Sequence, residues 1–286
     1  MGLLDGKKGL IYGVRNERSI GWGCAKSLAR EGATFALTYF GEREGRDVNK
    51  LAPTLGEGVV PFTEPCNLLE PEQVQALHER VAREMGGLDF VIHSVAFAKG
   101  LSGRHVDNTL EEYQISVNSS AFTFVAAAKA AEPLMTNGGA LVTISFLGGD
   151  RVVPNYNTAG IAKAALESSV KYLANDLGPQ NIRVNAVSAG PVQTLSARGI
   201  QGFGDMYRVH RDVSPLRHNT TPDEVGDACA FLCSHLSRGV TGEVLFVDSG
   251  YHVLGFPTLG LASAATQQTP PGAPQDAPAV TAAENR

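Results

Sequence analysis

No run of apolar residues in this 286-residue chain approaches the roughly 18 that a membrane-spanning helix needs, so a transmembrane helix is excluded. The opening stretch MGLLDGKKGLIYG also lacks a long apolar core followed by a small-residue cleavage site, and the expected location is the cytoplasm. Lys and Arg, 24 in all, are scattered through a chain of net charge −5, and no basic cluster supplies the electrostatic footprint of a nucleic-acid binder. Cysteine is scarce: Cys24, Cys66, Cys229 and Cys233 do not form a disulfide framework. Cys229 and Cys233 lie one helical turn apart near His235, a spacing open to half a metal site, but thiols on an amphipathic helix account for it and no metal is expected. Trp22, the single tryptophan, is expected to anchor a core. Neither an internal repeat nor a second domain is visible.

What is present is an alternation of strands and helices. Residues 8–39 read as the strand KGLIYG, the glycine-rich turn GVRNERSIGWG, the helix CAKSLAREG and the strand TFALTY. Glycines at such a turn let backbone approach a pyrophosphate, and a helix N-terminus favours phosphate, although the spacing is not the common GxGxxG and also suits any tight α/β connection. The pattern continues with a charged helix (Glu42 to Leu55), a strand (Val59 to Thr63), a helix (Pro71 to Met85), a strand (Leu88 to Ser94) and a small-residue helix from about Leu110 to Met135. Later come the strand IRVNAVSAGPV, a helix (Pro222 to Ser234) and a last strand (Val244 to Val247). Buried apolar strands alternating with helices predict an α/β fold: one Rossmann-like, doubly wound parallel sheet of about seven strands with helices on both faces. Ligands in that architecture bind beyond the carboxyl ends of strands, which here are the loops after Tyr12, Tyr39, Thr63 and His93. Residues 1–256 form the expected catalytic domain, with a glycine-punctuated stretch near 193–211 that suits a substrate lid or a plain surface excursion. Residues 257–286, rich in Ala, Pro, Thr and Gln, are expected to be disordered.

Chemistry concentrates between Ile144 and Leu166, where ISFLGGDRVVPNYNTAGIAKAAL reads as a strand end, a loop and a helix that runs to Leu177. Tyr156 and Lys163 are seven residues apart, about 700° of helical rotation, so they share a face with a rise of roughly 10 Å. Helical side chains lean toward the N-terminus, which aims the Lys163 stem at the Tyr156 hydroxyl. A phenol beside an ammonium suits an oxyanion stabiliser or proton donor; a surface Lys with a half-buried Tyr would have the same spacing.

With these motifs together, residues 2 to 252 resemble the enoyl-acyl-carrier-protein reductases of bacterial fatty-acid synthesis, a divergent branch of the short-chain dehydrogenase/reductase family. The likeness rests on GVRNERSIGWG, HSVAFA at 93–98, PNYNTAGIAKAALE at 154–167, IRVNAVSAGPVQT at 182–194 and GEVLFVDSG at 242–250. Ordinary short-chain reductases carry their tyrosine four residues before the lysine, a position held here by Ala159. The resemblance implies NADH-dependent reduction of the trans-2 double bond of an enoyl chain on acyl carrier protein, the last step of the elongation cycle, by a homotetramer. A ketone-reducing short-chain reductase and a catalytically silent dinucleotide sensor are the alternatives.

The resemblance also implies residue roles. Tyr156 would bond the thioester carbonyl, and Lys163 would hold the nicotinamide ribose. Gly13, Ser19 and Ile20 would meet the cofactor phosphates, Asn67 and Leu68 its adenine, Val95 its ribose side, and Val192, Gln193, Thr194, Leu195 and Ser196 its carboxamide and pyrophosphate. Ala98 and Met206 would face the acyl chain. A second tyrosine common in the family is Phe146 here, and the usual acidic residue near adenine is Asn67. Phe40, directly after the strand TFALTY, offers adenine a ring but no charge to a 2′-phosphate, and Glu42 would repel one, so NADH is expected over NADPH despite Arg43.

Overall fold

A computed structural model describes residues 2–195 and 197–255; the expected disordered tail at 257–286 lies outside the described residues. Seven strands, β1 (Lys8–Tyr12), β2 (Thr34–Tyr39), β3 (Thr63–Pro65), β4 (Phe90–His93), β5 (Gly139–Phe146), β6 (Ile182–Ala189) and β7 (Val244–Val247), form one sheet in the order β3-β2-β1-β4-β5-β6-β7. Every pairing is parallel. The order reverses between β1 and β4, the crevice where open α/β sheets bind ligands.

Alternate strand residues feed two cores. Leu10, Tyr12, Leu141 and Val184 pack on one face with α3 (Pro71–Met85), α5 (Thr123–Ala131) and α6 (Asn157–Leu177), represented by Leu77, Phe124 and Leu166. Ile11, Phe35, Ile92, Val142 and Val187 pack on the other with α1 (Ile20–Arg30) and α8 (Pro222–Cys233), represented by Trp22, Leu28 and Val225. Burial on both faces explains why the central strands read as unbroken apolar runs.

Local chemistry sets the helix boundaries. Thr109 with Glu112 and Thr221 with Glu224 make reciprocal capping boxes that start α4 (Leu110–Val117) and α8. Gly86, in the left-handed region at φ 76°, stops α3. α1 and α8 touch backbone to backbone: a Cβ on Gly226 would lie 2.5 Å from the Gly23 carbonyl oxygen, and one on Gly23 would lie 2.2 Å from that of Pro222. Cys24 and Cys229 face each other in this contact, their sulfurs 3.7 Å apart.

Three elements differ from expectation. The charged helix expected from Glu42 to Leu55 is α2 (Glu42–Leu51), followed by a 3-10 turn at Ala52–Leu55 that has Pro53 in its first turn. The third strand pairs over Thr63–Pro65, not Val59–Thr63. Val59 and Phe62 still accept backbone bonds from Phe35 and Leu37, but their side chains serve the cores, and the regular ladder begins only where β3 runs along the sheet edge. The expected single helix from Leu110 to Met135 is broken into α4, a π-turn at Asn118–Phe122, α5 and a 3-10 turn at Glu132–Leu134.

Candidate active site

The turn from β1 into α1 is shaped to receive an anion. Gly13 has φ 82°, and a Cβ there would lie 2.3 Å from the Ser94 carbonyl oxygen, so only glycine lets the first and fourth strand ends close together. Ser19 caps α1 by accepting from Trp22 N–H at 3.3 Å. The next two N–H groups, of Ile20 and Gly21, have no acceptor among the described residues, and the positive end of the helix dipole adds to their pull on a phosphate. A dinucleotide's pyrophosphate therefore fits this cradle.

At the far side of the crevice, β5 leads through Gly148 and Gly149 into α6. Tyr156 stands at the cap of α6 next to Asn155, whose backbone is left-handed at φ 59°. Its ring meets Phe146 edge-on, with centroids 4.9 Å apart, and a Cβ on Gly148 would lie 2.4 Å from it. Burial raises the Tyr156 hydroxyl well above its ordinary pKa, with the Glu167 carboxylate adding to the effect, so the phenol keeps its proton at neutral pH. Lys163, only 6% exposed, donates from Nζ to the Ile144 carbonyl at 2.7 Å. This differs from the expected reach toward the Tyr156 hydroxyl: the ammonium satisfies itself on the strand beneath the helix. Burial pulls it down to about 8, against the opposing attraction of Glu167.

Below Lys163 lies His93, fully buried at the end of β4, with Nδ1 2.9 Å from Thr143 Oγ1 and Nε2 3.0 Å from Thr123 Oγ1. Two hydroxyls that can each donate or accept satisfy a neutral imidazole completely. Burial, with the Lys163 charge as a second cause, pushes His93 down to about 3.

The other expected site residues distribute unevenly. Val95 borders Gly13, and its Cγ2 would lie 3.0 Å from a Cβ there. Ala98 follows β4 and is half-buried, as is Met206 on α7 (Phe203–Val213). Asn67 spends its amide oxygen on Leu69 N–H at 3.1 Å, an Asx turn that leaves one lone pair for an adenine. The Leu68 side chain is committed to the core, which leaves only its backbone to face a ligand. Phe40 is 71% exposed. Val192 is buried behind β6, Gln193 is exposed, and Thr194 Oγ1 accepts from Ala197 N–H at 3.1 Å. Leu195 joins Arg15, Asn16, Arg43, Glu44 and Asp47 around a cavity of about 220 Å³. Ser196 lies outside the described residues. Asn155 Nδ2 donates to Gln201 O at 2.9 Å, tying the tyrosine loop to the segment before α7. Sequence reasoning missed Ser145, Glu167 and His93; of these, only Glu167 left a signal, as an acid one turn beyond Lys163.

A family model described as enoyl-(acyl carrier protein) reductase matches residues 13–252. The chain belongs to the enoyl-acyl-carrier-protein reductase family. It is similar to the Bacillus cereus enoyl-[acyl-carrier-protein] reductase [NADH] FabI, 49% identical over 257 residues that cover 89% of this chain and 100% of that protein. It is also similar to enoyl-[acyl-carrier-protein] reductase [NADH] 2 of Rhizobium meliloti, 45% identical over 90% of this chain and 96% of that one. Among solved structures of this reductase family, the Bacillus cereus enzyme with NADP+ and an indole naphthyridinone superposes with a TM-score of 0.87 at 49% identity, covering 90% of this chain and 100% of that chain. The Anaplasma phagocytophilum enzyme in complex with NAD gives 0.86 at 49% identity, over 90% and 98% of the respective chains.

Proposed function

We propose that this chain reduces the trans-2 double bond of an enoyl thioester carried on acyl carrier protein, with NADH as the reductant, in the last step of a fatty-acid elongation cycle. The observation that carries the reading is Tyr156 at the mouth of the crevice, seven residues before a buried Lys163, with a buried Ala159 where a ketone reductase would place its phenol. Family membership supports it and gives no support to a ketone reductase or a silent sensor.

When bound, NADH supplies the hydride that adds to the β-carbon. The chain supplies position and charge. Gly13, Ser19 and the Ile20 N–H would hold the pyrophosphate, while Lys163 would hold the nicotinamide ribose. Tyr156 keeps its proton and donates it in a hydrogen bond to the thioester carbonyl, so the charge that grows on that oxygen meets a donor, with the Lys163 ammonium behind it. Phe146 packs against the Tyr156 ring and offers no second donor. Val95 and Asn67 would border the adenosine half, Val192 to Leu195 would border the nicotinamide half, and Ala98 and Met206 would face the acyl chain.

The decisive assay follows NADH absorbance with a crotonyl and an acetoacetyl thioester. Oxidation with crotonyl alone is expected; oxidation with acetoacetyl alone would point to ketone reduction, and tight NADH binding with neither would point to a sensor. Kinetics with both cofactors tests NADH against NADPH. The Bacillus cereus relative was solved with NADP+, and Arg43 lines the cavity beyond β2, so a higher kcat/KM for NADPH would assign the 2′-phosphate to Arg43. Replacing the exposed Phe40 by Arg should narrow a preference for NADH. Residues 1–256 act as one catalytic domain with the lid near 193–211. A cytoplasmic homotetramer completes the reading, supported by exposed Leu110, Tyr113 and Phe122 on α4 and the π-turn, and sedimentation measures the assembly.

A further inference from the structure

We propose that Glu167, anchored by Ser145, is a positioning residue that keeps Lys163 charged and aimed at the cofactor. The idea rests on the reading of Lys163 as the ribose-binding cation.

The geometry is a closed frame between β5 and α6. Lys163 and Glu167 are one helical turn apart and lean the same way. Lys163 Nζ bonds the carbonyl of Ile144 at 2.7 Å, and the next residue, the buried Ser145, donates from Oγ to Glu167 Oε1. Consecutive residues of the strand end thus grip the cation and the anion of one helix turn. Gly149 leaves the space: a Cβ there would lie 3.0 Å from Glu167 Oε1. No ion pair within 4.0 Å joins Lys163 and Glu167 among the described residues, so the carboxylate acts through the field and through the strand, leaving the ammonium free to meet a ligand.

Charge makes the frame necessary. Among the described residues the Ile144 carbonyl is the one acceptor of a buried ammonium, and a buried cation with so little solvation sheds its proton readily. Facing groups oppose or assist. His93 beneath is neutral and offers no anion, Tyr156 keeps its proton, and Asp150 and Lys171 act on Glu167 with opposite signs. Glu167 is itself pushed up by burial and held back by the Ser145 hydroxyl and Lys163. Of these groups, it is the one whose charge raises Lys163.

The test reads the NADH dissociation constant across pH by protein fluorescence, with thermal midpoints alongside. In the wild-type protein, affinity should fall as Lys163 deprotonates. Glu167→Gln should move that fall to lower pH by about one unit, the usual scale of one neighbouring charge, with affinity below pH 6.5 changed less than about twofold. Ser145→Ala keeps the carboxylate but frees the strand end; it should weaken NADH binding about threefold or more at every pH without moving the fall. In a Lys163→Arg background, whose cation does not titrate, Glu167→Gln should produce no shift. An unmoved profile in Glu167→Gln overturns the proposal, as does a uniform loss at all pH that follows the thermal midpoint. Should Glu167→Gln not fold, unchanged affinity in Ser145→Ala overturns it and the uniform weakening supports it. Lys163→Ala separates the two levels: if it leaves NADH affinity intact, the reading of the site fails; if affinity falls while the Glu167 profile stays put, only this inference does.

Discussion

The crevice has two walls built on different principles. Where β1 turns into α1, recognition is a matter of backbone shape: a left-handed glycine, a serine cap and two N–H groups without an acceptor among the described residues, with no charged side chain required. Where β5 turns into α6, recognition is a matter of ionisation: a buried ammonium, a phenol held protonated and a half-buried carboxylate, each displaced from its ordinary pKa mainly by loss of water. A shape-built wall is insensitive to pH and intolerant of a methyl group. A charge-built wall tolerates small changes in volume and is sensitive to protons.

Perturbing each wall by its own weakness sharpens this contrast. The largest effect should come from Tyr156→Phe, which removes the one phenol assigned to the oxyanion; with Phe146 unable to substitute, turnover should fall by roughly 10²–10³, about 2.7–4 kcal/mol, with NADH affinity nearly unchanged. Full turnover in this variant would mean that water or another group carries the role. Next comes acid. His93 folds neutral with its pKa lowered to about 3, whereas the unfolded chain binds a proton near the ordinary 6.5, so stability is complete above pH 6.5 and declines toward pH 3. The His93 contribution to that decline approaches about 1.4 kcal/mol per pH unit; urea unfolding from pH 7.5 to 4.5 should show it in wild type and lose it in His93→Asn. Equal slopes in the two proteins would remove His93 as the cause.

The shape-built wall should respond less to pH and more to bulk. Gly13→Ala forces a Cβ into the left-handed region against the Ser94 carbonyl and should cost about 2 kcal/mol of stability, with a parallel loss of NADH affinity at every pH. A pH-dependent loss would blur the distinction between the walls. Smallest is Ser19→Ala, which deletes the cap of α1 and should cost about 1 kcal/mol in a thermal melt, with a modest loss of NADH affinity and turnover at saturating NADH unchanged.

The two walls were also unequally visible in the amino-acid order. Helix α6 was legible from its periodicity, and the central strands because double burial demands continuous apolar residues; Tyr156, read from its spacing onto the helical face of Lys163, stands instead at the cap of α6, outside the helix. The partner of Lys163 was not legible: it is a backbone carbonyl, and every residue carries one. His93 reads as one more strand residue until the fold brings Thr123 and Thr143 to its two nitrogens from other elements. The third strand was displaced because Val59 and Phe62 are apolar for the cores, while the edge ladder depends on register. The π-turn at Asn118–Phe122 carries no proline or glycine to announce it.

The contact of Gly23 with Pro222 and Gly226 gives the cradle a mechanical reference. With no side chain as a cushion, α1 rests on α8 as a lever rests on a fulcrum, and any wedge placed there is transmitted along the rigid helix to its phosphate-facing end. α8 in turn packs against β5, the strand that carries Lys163's acceptor, and against β6. The two walls of the crevice therefore share a single bearing, at a surface that belongs to neither of them.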